Sequence, residues 1–248
     1  MKIKSFGVKN MLRGLLVLGV MFSGTASSRA ASVALDQLLA GGTIQSGDKL
    51  FYGFTNFLEV TNLPTGPAGA ASIIVQTITG SMPGEYGISF IHTWSLIGPN
   101  LAYDLKIDFS VKIVLPIPPD LPPPGPLGIK DATLNVTGHT AGDGVIRLAE
   151  NINIDDLTNT PLASLFVQID KNNNKFIDHV EFPTVPFPTA IEISKDFAMW
   201  TGTTAGDETF VSHFDQVFSQ TVPEPGALAI LGVLGLGSLG YRRRTPKA

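Results

Sequence analysis

The segment Asp104–Ile113 alternates polar and apolar side chains at every position, and this pattern constrains the fold more than any other feature of the chain. A period of two is that of a β-strand with one face in a core and the other in solvent. The chain also has 26 glycines and 18 prolines, residues that form turns and interrupt helices. The sequence therefore predicts an all-β fold, an antiparallel two-sheet sandwich built from many short strands.

Nine further segments have weaker strand patterns, with turn residues between them at fairly regular intervals. They are Lys49–Phe54, Ser72–Ile78, Gly87–Leu96, Ala132–Thr137, Gly144–Glu150, Ser164–Ile169, Lys175–Phe182, Ala190–Ser194 and Thr209–Phe218. One short helix is predicted before them, over Ser32–Ala40, with Ser32 as its N-cap and two glycines as its stop.

The first 30 residues have the layout of a secretory signal peptide. A basic start without acidic residues is followed by the apolar run Gly14–Phe22. Ser28 and Ala30 place small side chains at the two positions that a signal peptidase reads, so we expect cleavage after Ala30. The alternative, a retained membrane anchor, needs ~20 apolar residues, and this run is well short of that length.

A second apolar segment lies near the C-terminus. Ala227–Tyr241 carries no charge and is followed by three arginines, Arg242–Arg244. A helix over this segment would be about 22 Å long, which is short for a hydrocarbon core of ~30 Å. The arginines would stay on the cytoplasmic side and leave the preceding domain outside. The segment is predicted to be an apolar helix that meets the membrane transiently.

Residues Val222–Arg244 resemble the PEP-CTERM sorting signal of Gram-negative bacteria: a Pro-Glu-Pro, a short apolar segment and an arginine cluster, paired with an N-terminal signal peptide. The resemblance implies that an exosortase recognises the tail and removes it near the Pro-Glu-Pro; a chance tail anchor is the alternative. The sorting residues are Pro223, Glu224, Pro225, Arg242, Arg243 and Arg244. The implied domains are a signal peptide at 1–30, a β-sandwich at 31–221 and a sorting tail at 222–248.

The middle of the chain is strongly acidic. Between residues 31 and 223 it has eight basic and 20 acidic side chains, a net charge of −12. Such a domain repels phosphates, so no nucleic-acid partner is expected. The absence of cysteine excludes disulfides, zinc thiolate sites and a cysteine nucleophile, so stability must come from the core.

One segment, Asp170–Glu181, has oxygen-bearing side chains at the spacing of a calcium-binding EF-hand loop. The match is partial, because Lys175 stands where that loop needs glycine and prolines obstruct an exit helix. The alternative is a β-hairpin whose turn uses the tolerance of asparagine for left-handed backbone. The candidate calcium ligands are Asp170, Asn172, Asn174, Asp178 and Glu181.

No catalytic motif stands out: the four histidines are far apart in the sequence, and neither a Gly-x-Ser-x-Gly elbow nor a phosphate-binding loop occurs. Trp94 and Trp200 would stack on sugar rings if exposed together, although burial in the core is the default for tryptophan. The sequence therefore predicts a non-enzymatic secreted protein of the cell envelope, outer surface or extracellular matrix, with a structural or adhesive role. The alternatives are a secreted hydrolase of extracellular polysaccharide and a calcium-binding adhesion module. Expected partners are signal peptidase and exosortase during export, and an extracellular polysaccharide.

Overall fold

A computed structural model describes residues 30–82, 84–114, 128–156, 158–183 and 186–220. These residues form two antiparallel sheets around one core, which confirms the predicted all-β sandwich. The strands, numbered in chain order, are β1 Ser32–Ala34, β2 Ile44–Ser46, β3 Lys49–Thr61, β4 Ile74–Thr79, β5 Tyr86–Ile97, β6 Ala102–Ile113, β7 Ile129–Ala141, β8 Val145–Ile154, β9 Pro161–Asp170, β10 Asn173–Lys175, β11 Ile177–Glu181, β12 Ala190–Trp200 and β13 Glu208–Gln220.

The two sheets are completed by the last two strands that the structure describes. Sheet A has the order β1-β4-β5-β13-β7-β11, and sheet B has the order β10-β9-β8-β12-β6-β3-β2. β13 lies between β5 and β7, while β12 lies between β8 and β6. Both central strands therefore come from the C-terminal part of the sandwich, and neither sheet is continuous without them.

The helix α1 spans Leu35–Leu39 and is shorter than the predicted helix. Ser32–Ala34 is strand β1 instead, paired with β4, and the N-cap is Ala34 without a side-chain cap. The prediction of Ser32 as N-cap was wrong because strand pairing holds its backbone in extended conformation. Leu35 and Leu38 are fully buried, so the helix packs one face against the core.

The core between the sheets is rich in aromatic side chains. Phe214 of sheet A is fully buried, and its ring centroid lies 4.9 Å from that of Phe90 and 5.5 Å from that of Trp94. Phe197 reaches the same cluster from sheet B, 5.3 Å from Phe214. Aromatic pairs at these separations attract each other beyond their burial, so the cluster joins the two sheets.

The first and last described residues of the sandwich, Ala30 and Gln220, lie at the same end of the molecule. Ala30 and Tyr86 line one surface depression, and Tyr86 pairs with Phe218 on β13. Lys49 Nζ donates a hydrogen bond to Gln220 Oε1 at 3.3 Å and lies 5.8 Å from the centre of the Tyr86 ring. The end of β12 and the start of β6 lie at the opposite end, one strand length away.

Candidate functional site

The outer face of sheet B carries the candidate site. Alternation along its strands turns one set of side chains into the core and the other toward solvent. The register places the outward side chains in rows across neighbouring strands. One row, from β9 across β8, β12 and β6 to β3, is Gln168, Arg147, Ala198, Asp104 and Val60. The next row, toward the end of β12, is Val145, Trp200 and Ala102.

Trp200 is half-buried and stands on this outer face. Its neighbour Met199 is buried in the core, so the alternation of β12 turns the indole outward. The guanidinium carbon of Arg147, on the β8 side, lies 4.8 Å from the centre of the indole ring. A guanidinium over an aromatic ring is attracted by the ring quadrupole, so Arg147 holds the indole in one orientation.

A shallow groove of about 490 Å³ lies beside Trp200. The small side chains of Ala102 and Ala198 leave this space, and Val60 of β3, which is 56% exposed, borders it. Asn62 also lines the groove, but its amide is already used: it donates to the Asn100 carbonyl and accepts from the Ala102 N–H, both at 2.8 Å. The groove thus has an apolar floor and an indole at one side.

Asp104 is the acidic side chain of the groove and is exposed to solvent. Its pKa is raised from the ordinary aspartate value, first by partial burial and then by the charge of Asp196 and a hydrogen bond with it. Asp196 lies one row away on β12, opposite Lys106. The two carboxyl groups therefore form a close pair whose oxygens can accept hydrogen bonds from hydroxyl groups.

A second depression, of about 530 Å³, lies on the same outer face between β8 and β9. Asn151, Asn153 and Ser164 supply amide and hydroxyl groups to it. Along β8, Arg147 and Asn151 are four residues apart, a separation of about 13 Å at the rise of a strand. The outer face of sheet B thus has an apolar groove and a second depression with polar groups, which an extended ligand can span.

The candidate calcium segment forms a hairpin between β9 and β10, as the alternative predicted. The prediction of left-handed backbone at its asparagines was wrong, since Asn172, Asn173 and Asn174 all have negative φ. Asp170 Oδ1 accepts hydrogen bonds from the backbone N–H groups of Asn172, at 2.7 Å, and Asn173, at 2.9 Å. The same carboxylate accepts a hydrogen bond from Gln168, and these three bonds lower the pKa of Asp170, that from Gln168 most strongly. The carboxylate is thus the acceptor that holds the turn.

Apart from Asn172, whose backbone N–H donates to it, the structure does not bring the other candidate calcium ligands to this carboxylate. Asn174 lies in β10 opposite Ile169, while β11 continues into sheet A. Asp178 accepts from the Phe166 N–H and pairs with Lys175, both at 2.8 Å, and Glu181 lies 3.8 Å from Lys130. Among the described residues, no group of three or more acidic, histidine or cysteine side chains is arranged to hold a metal. Calcium binding stays a prediction.

The two tryptophans lie in different environments, one in the core and one on the outer face of sheet B. Trp94 of sheet A is 3% exposed and belongs to the core, as the default for tryptophan predicted. The same default was wrong for Trp200, and the two indoles do not form a joint platform. The sequence signal that identifies Trp200 is the alternation of β12 beyond its predicted end, since Phe197 and Met199 continue the buried phase of Ile191 and Ile193.

The predicted sorting segments lie outside the described residues. They are residues 1–29 of the predicted signal peptide at 1–30 and the tail with Pro223, Glu224, Pro225, Arg242, Arg243 and Arg244. Within the parts of the chain that the structure describes, no helix has the length and apolar character needed to span a bilayer.

Comparisons with known proteins give no family. No model of a known protein family matches the chain, and no curated protein matches it. Among solved structures, TmCBM61 in complex with β-1,4-galactotriose is similar to the chain at 12% identity, over 65% of this chain and 88% of that one, with a TM-score of 0.27.

Two further structures have comparable scores. The family 11 carbohydrate-binding module of a Clostridium thermocellum cellulosomal cellulase is 12% identical over 70% of this chain and 94% of its own, with a TM-score of 0.21. Tailspike protein 4 of bacteriophage CBA120 is 12% identical over 65% of this chain and 19% of that one, with a TM-score of 0.24. TM-scores this low carry no argument about function, so the function has to be inferred from the residues of the chain itself.

Proposed function

We propose that the chain is an exported, non-enzymatic protein of the cell surface or extracellular matrix, and that its sandwich binds a neutral polysaccharide in the groove beside Trp200. Export and sorting follow from the signal peptide and the Pro-Glu-Pro tail in the sequence. Binding follows from the outer face of sheet B.

The observation that carries this proposal is the orientation of Trp200. Arg147 lies against the indole from β8, while the groove lies on the side of β6 and β3. One indole face is thus available to an apolar ligand surface, and Arg147 has already restricted its rotation. The C–H faces of sugar rings are flat and apolar, so a ring stacks on a fixed indole with little loss of side-chain entropy.

The charges around the groove favour a neutral ligand. Asp104 and Asp196 lie beside the floor of the groove, while the charge of Arg147 is directed at the indole. The domain as a whole has a net charge of −12 between residues 31 and 223. An anionic polysaccharide would be repelled both by the carboxyl groups beside the groove and by the net charge of the domain. Neutral hydroxyl groups, by contrast, hydrogen-bond to the carboxyl groups of Asp104 and Asp196.

The spacing of the same two carboxyl groups favours binding over hydrolysis. Glycosidases that retain configuration separate their two carboxyl groups by about 5–5.5 Å, and those that invert it by about 6.5–9.5 Å. Asp104 and Asp196 lie close enough for Asp196 to raise the pKa of Asp104 by its charge and a hydrogen bond, a closer approach than either separation. We therefore assign the pair to hydroxyl recognition.

The test is affinity electrophoresis of the purified protein in gels that contain a neutral β-glucan, a galactan or the anionic polymer alginate. We expect a neutral gel to retard the wild-type protein and alginate to leave its mobility unchanged. Trp200→Ala should weaken the retardation about 30-fold or more, because a buried aromatic anchor contributes about 2 kcal/mol or more to binding.

The matched control is Phe210→Ala, which removes a half-buried aromatic side chain from the outer face of sheet A. This variant should keep the affinity of the wild-type protein. Equal retardation of the wild-type and Trp200→Ala proteins would show that Trp200 does not take part in binding. Failure of the wild-type protein to bind any neutral polysaccharide would contradict the proposed binding function.

A further inference from the structure

Three polar side chains meet at the centre of the otherwise apolar core. Lys195 of β12 and Glu150 of β8 are opposite each other on the inner face of sheet B. Gln216 of β13 reaches them from sheet A. Their exposures are 1% for Lys195, 1% for Glu150 and 0% for Gln216. The cluster therefore bridges the two sheets where solvent is excluded.

The contacts within this cluster are close, but they are incomplete. Lys195 Nζ donates hydrogen bonds to Glu150 Oε2 and, at 2.5 Å, to Gln216 Oε1. Glu150 Oε1 and Gln216 Nε2 are buried without a hydrogen-bond partner. A buried ion pair and an unpaired amide group both cost free energy of desolvation. The cluster therefore destabilises the folded sandwich relative to an apolar core, which indicates that it has a further role.

Burial shifts both titratable groups toward their neutral forms. It lowers the pKa of Lys195 and raises the pKa of Glu150, while their mutual attraction opposes both shifts. A neutral amine is a nucleophile, and a neutral carboxylic acid is a proton donor. The core thus holds a nucleophile, a proton carrier and a carboxamide in contact.

We propose that these three side chains form an intramolecular cross-link, an amide bond between Lys195 Nζ and Gln216 Cδ, with Glu150 as the proton carrier. The Lys195 amine attacks Gln216 Cδ while the Glu150 carboxylic acid protonates Gln216 Oε1. Glu150 then takes the surplus proton from Nζ and delivers it to Nε2. As the C–N bond to Nε2 breaks, the hydroxyl proton returns to the Glu150 carboxylate. One N–C bond forms, one breaks, and ammonia leaves without an oxidant or a cofactor.

The product removes the two costs of the starting cluster. The lysine amine becomes a neutral amide, and the unpaired Nε2 leaves the core as ammonia. The new bond joins sheet B to sheet A through their central strands. A chain without cysteine thereby gains a covalent link that does not depend on the redox state of its surroundings.

The test is mass spectrometry of the full chain after folding and purification. We expect a mass lower than that of the sequence by one ammonia molecule. Trypsin should no longer cut after Lys195, and fragmentation should locate the mass loss to a peptide that contains both Lys195 and Gln216. Lys49 is the internal comparison: it is also buried, but its Nζ lies 3.3 Å from a half-buried Gln220, and cleavage after it should be normal.

Two variants test the roles of the groups. Glu150→Gln removes the proton carrier, and Lys195→Met removes the nucleophile with an apolar side chain of similar length. Both proteins should have their full sequence masses, and Glu150→Gln should be cut after Lys195. An unmodified wild-type protein, a loss of water instead of ammonia, or an undiminished cross-link in Glu150→Gln would each overturn the proposal. The wild-type mass decides the matter even if a variant does not fold.

Discussion

At the scale of single residues, the turn between β9 and β10 depends on one ionised side chain. Asp170 accepts three hydrogen bonds, from Gln168 and from the backbone of Asn172 and Asn173. All three bonds favour the carboxylate over the carboxylic acid, and the charge of Arg147 acts in the same direction. The turn is therefore more stable when Asp170 is ionised.

This dependence predicts the effect of pH. The pKa of folded Asp170 lies below that of the unfolded chain, so its stabilising effect is complete above the ordinary aspartate pKa. The effect is lost as the pH falls through the lower, folded value. NMR of the Asp170 carboxyl carbon should show a midpoint below the ordinary aspartate range. A midpoint within or above that range would contradict the hydrogen bonds assigned to the turn.

The alternation of side chains also separates similar residues into different roles. Lys195 and Asp196 are neighbours, yet Lys195 continues the buried phase of Ile193 and Phe197 while Asp196 is exposed. A charged residue in a buried phase is a signal that a sequence contains. The sequence does not identify its partners, because Glu150 is 45 residues away in the chain and Gln216 belongs to the other sheet.

At the scale of strands, the pairing of β5 with β13 requires close approach of the two backbones. Gly87 of β5 is opposite Val217, and a Cβ atom at Gly87 would overlap the carbonyl oxygen of Gln216. The obstacle is backbone, which cannot rotate away as a side chain can. Gly87 is thus required for the register at the centre of sheet A.

Gly87→Ala should therefore destabilise the protein by about 1–3 kcal/mol, the usual cost of overpacking in a core. The control is Gly206→Ala, where a Cβ atom would meet nothing within 4 Å and the backbone needs no glycine. The control should be neutral or slightly stabilising. Urea denaturation of both variants measures the difference, and equal midpoints would show that β5 and β13 do not approach as described.

The strands were the most predictable part of the structure. All ten predicted strands overlap observed ones, because period-two patterns and turn residues are local signals. The missed strands β1, β2 and β10 are only three residues long and are defined by pairing, which a single segment does not reveal. The groove was missed for the same reason: Trp200, Ala102 and Val60 come together only through the order of strands in sheet B.

At the scale of the whole molecule, the groove and the chain ends lie apart. Trp200 is the last residue of β12 and pairs with Ala102. Ala30 and Gln220, the described residues next to the predicted signal peptide and tail, lie at the opposite end of the sandwich. The 11 residues of β12 span roughly 35 Å. A protein held at a surface through its tail would thus direct the groove away from that surface.

The proposed sorting tail gives a prediction of its own. A chain truncated before Val222 should remain inside the outer membrane of the producing cell, because the exosortase has no segment to recognise. Protease added to intact cells should therefore digest the full-length product and spare the truncated one. The purified truncated protein should bind glycan as tightly as the full-length product, since the groove lies within residues 60–200. Equal protection of both products would contradict sorting by the tail.

The most direct test of the binding site uses tryptophan fluorescence. The chain has two tryptophans, so Trp94→Phe leaves Trp200 as the only indole. Titration of this variant with the neutral polysaccharide that binds best should shift its emission to shorter wavelength and reach saturation, because a sugar ring displaces water from the indole. Trp200→Phe, which keeps the buried Trp94, should show no saturable change. An unchanged Trp200 emission at a glycan concentration that saturates binding would place the ligand elsewhere on the protein.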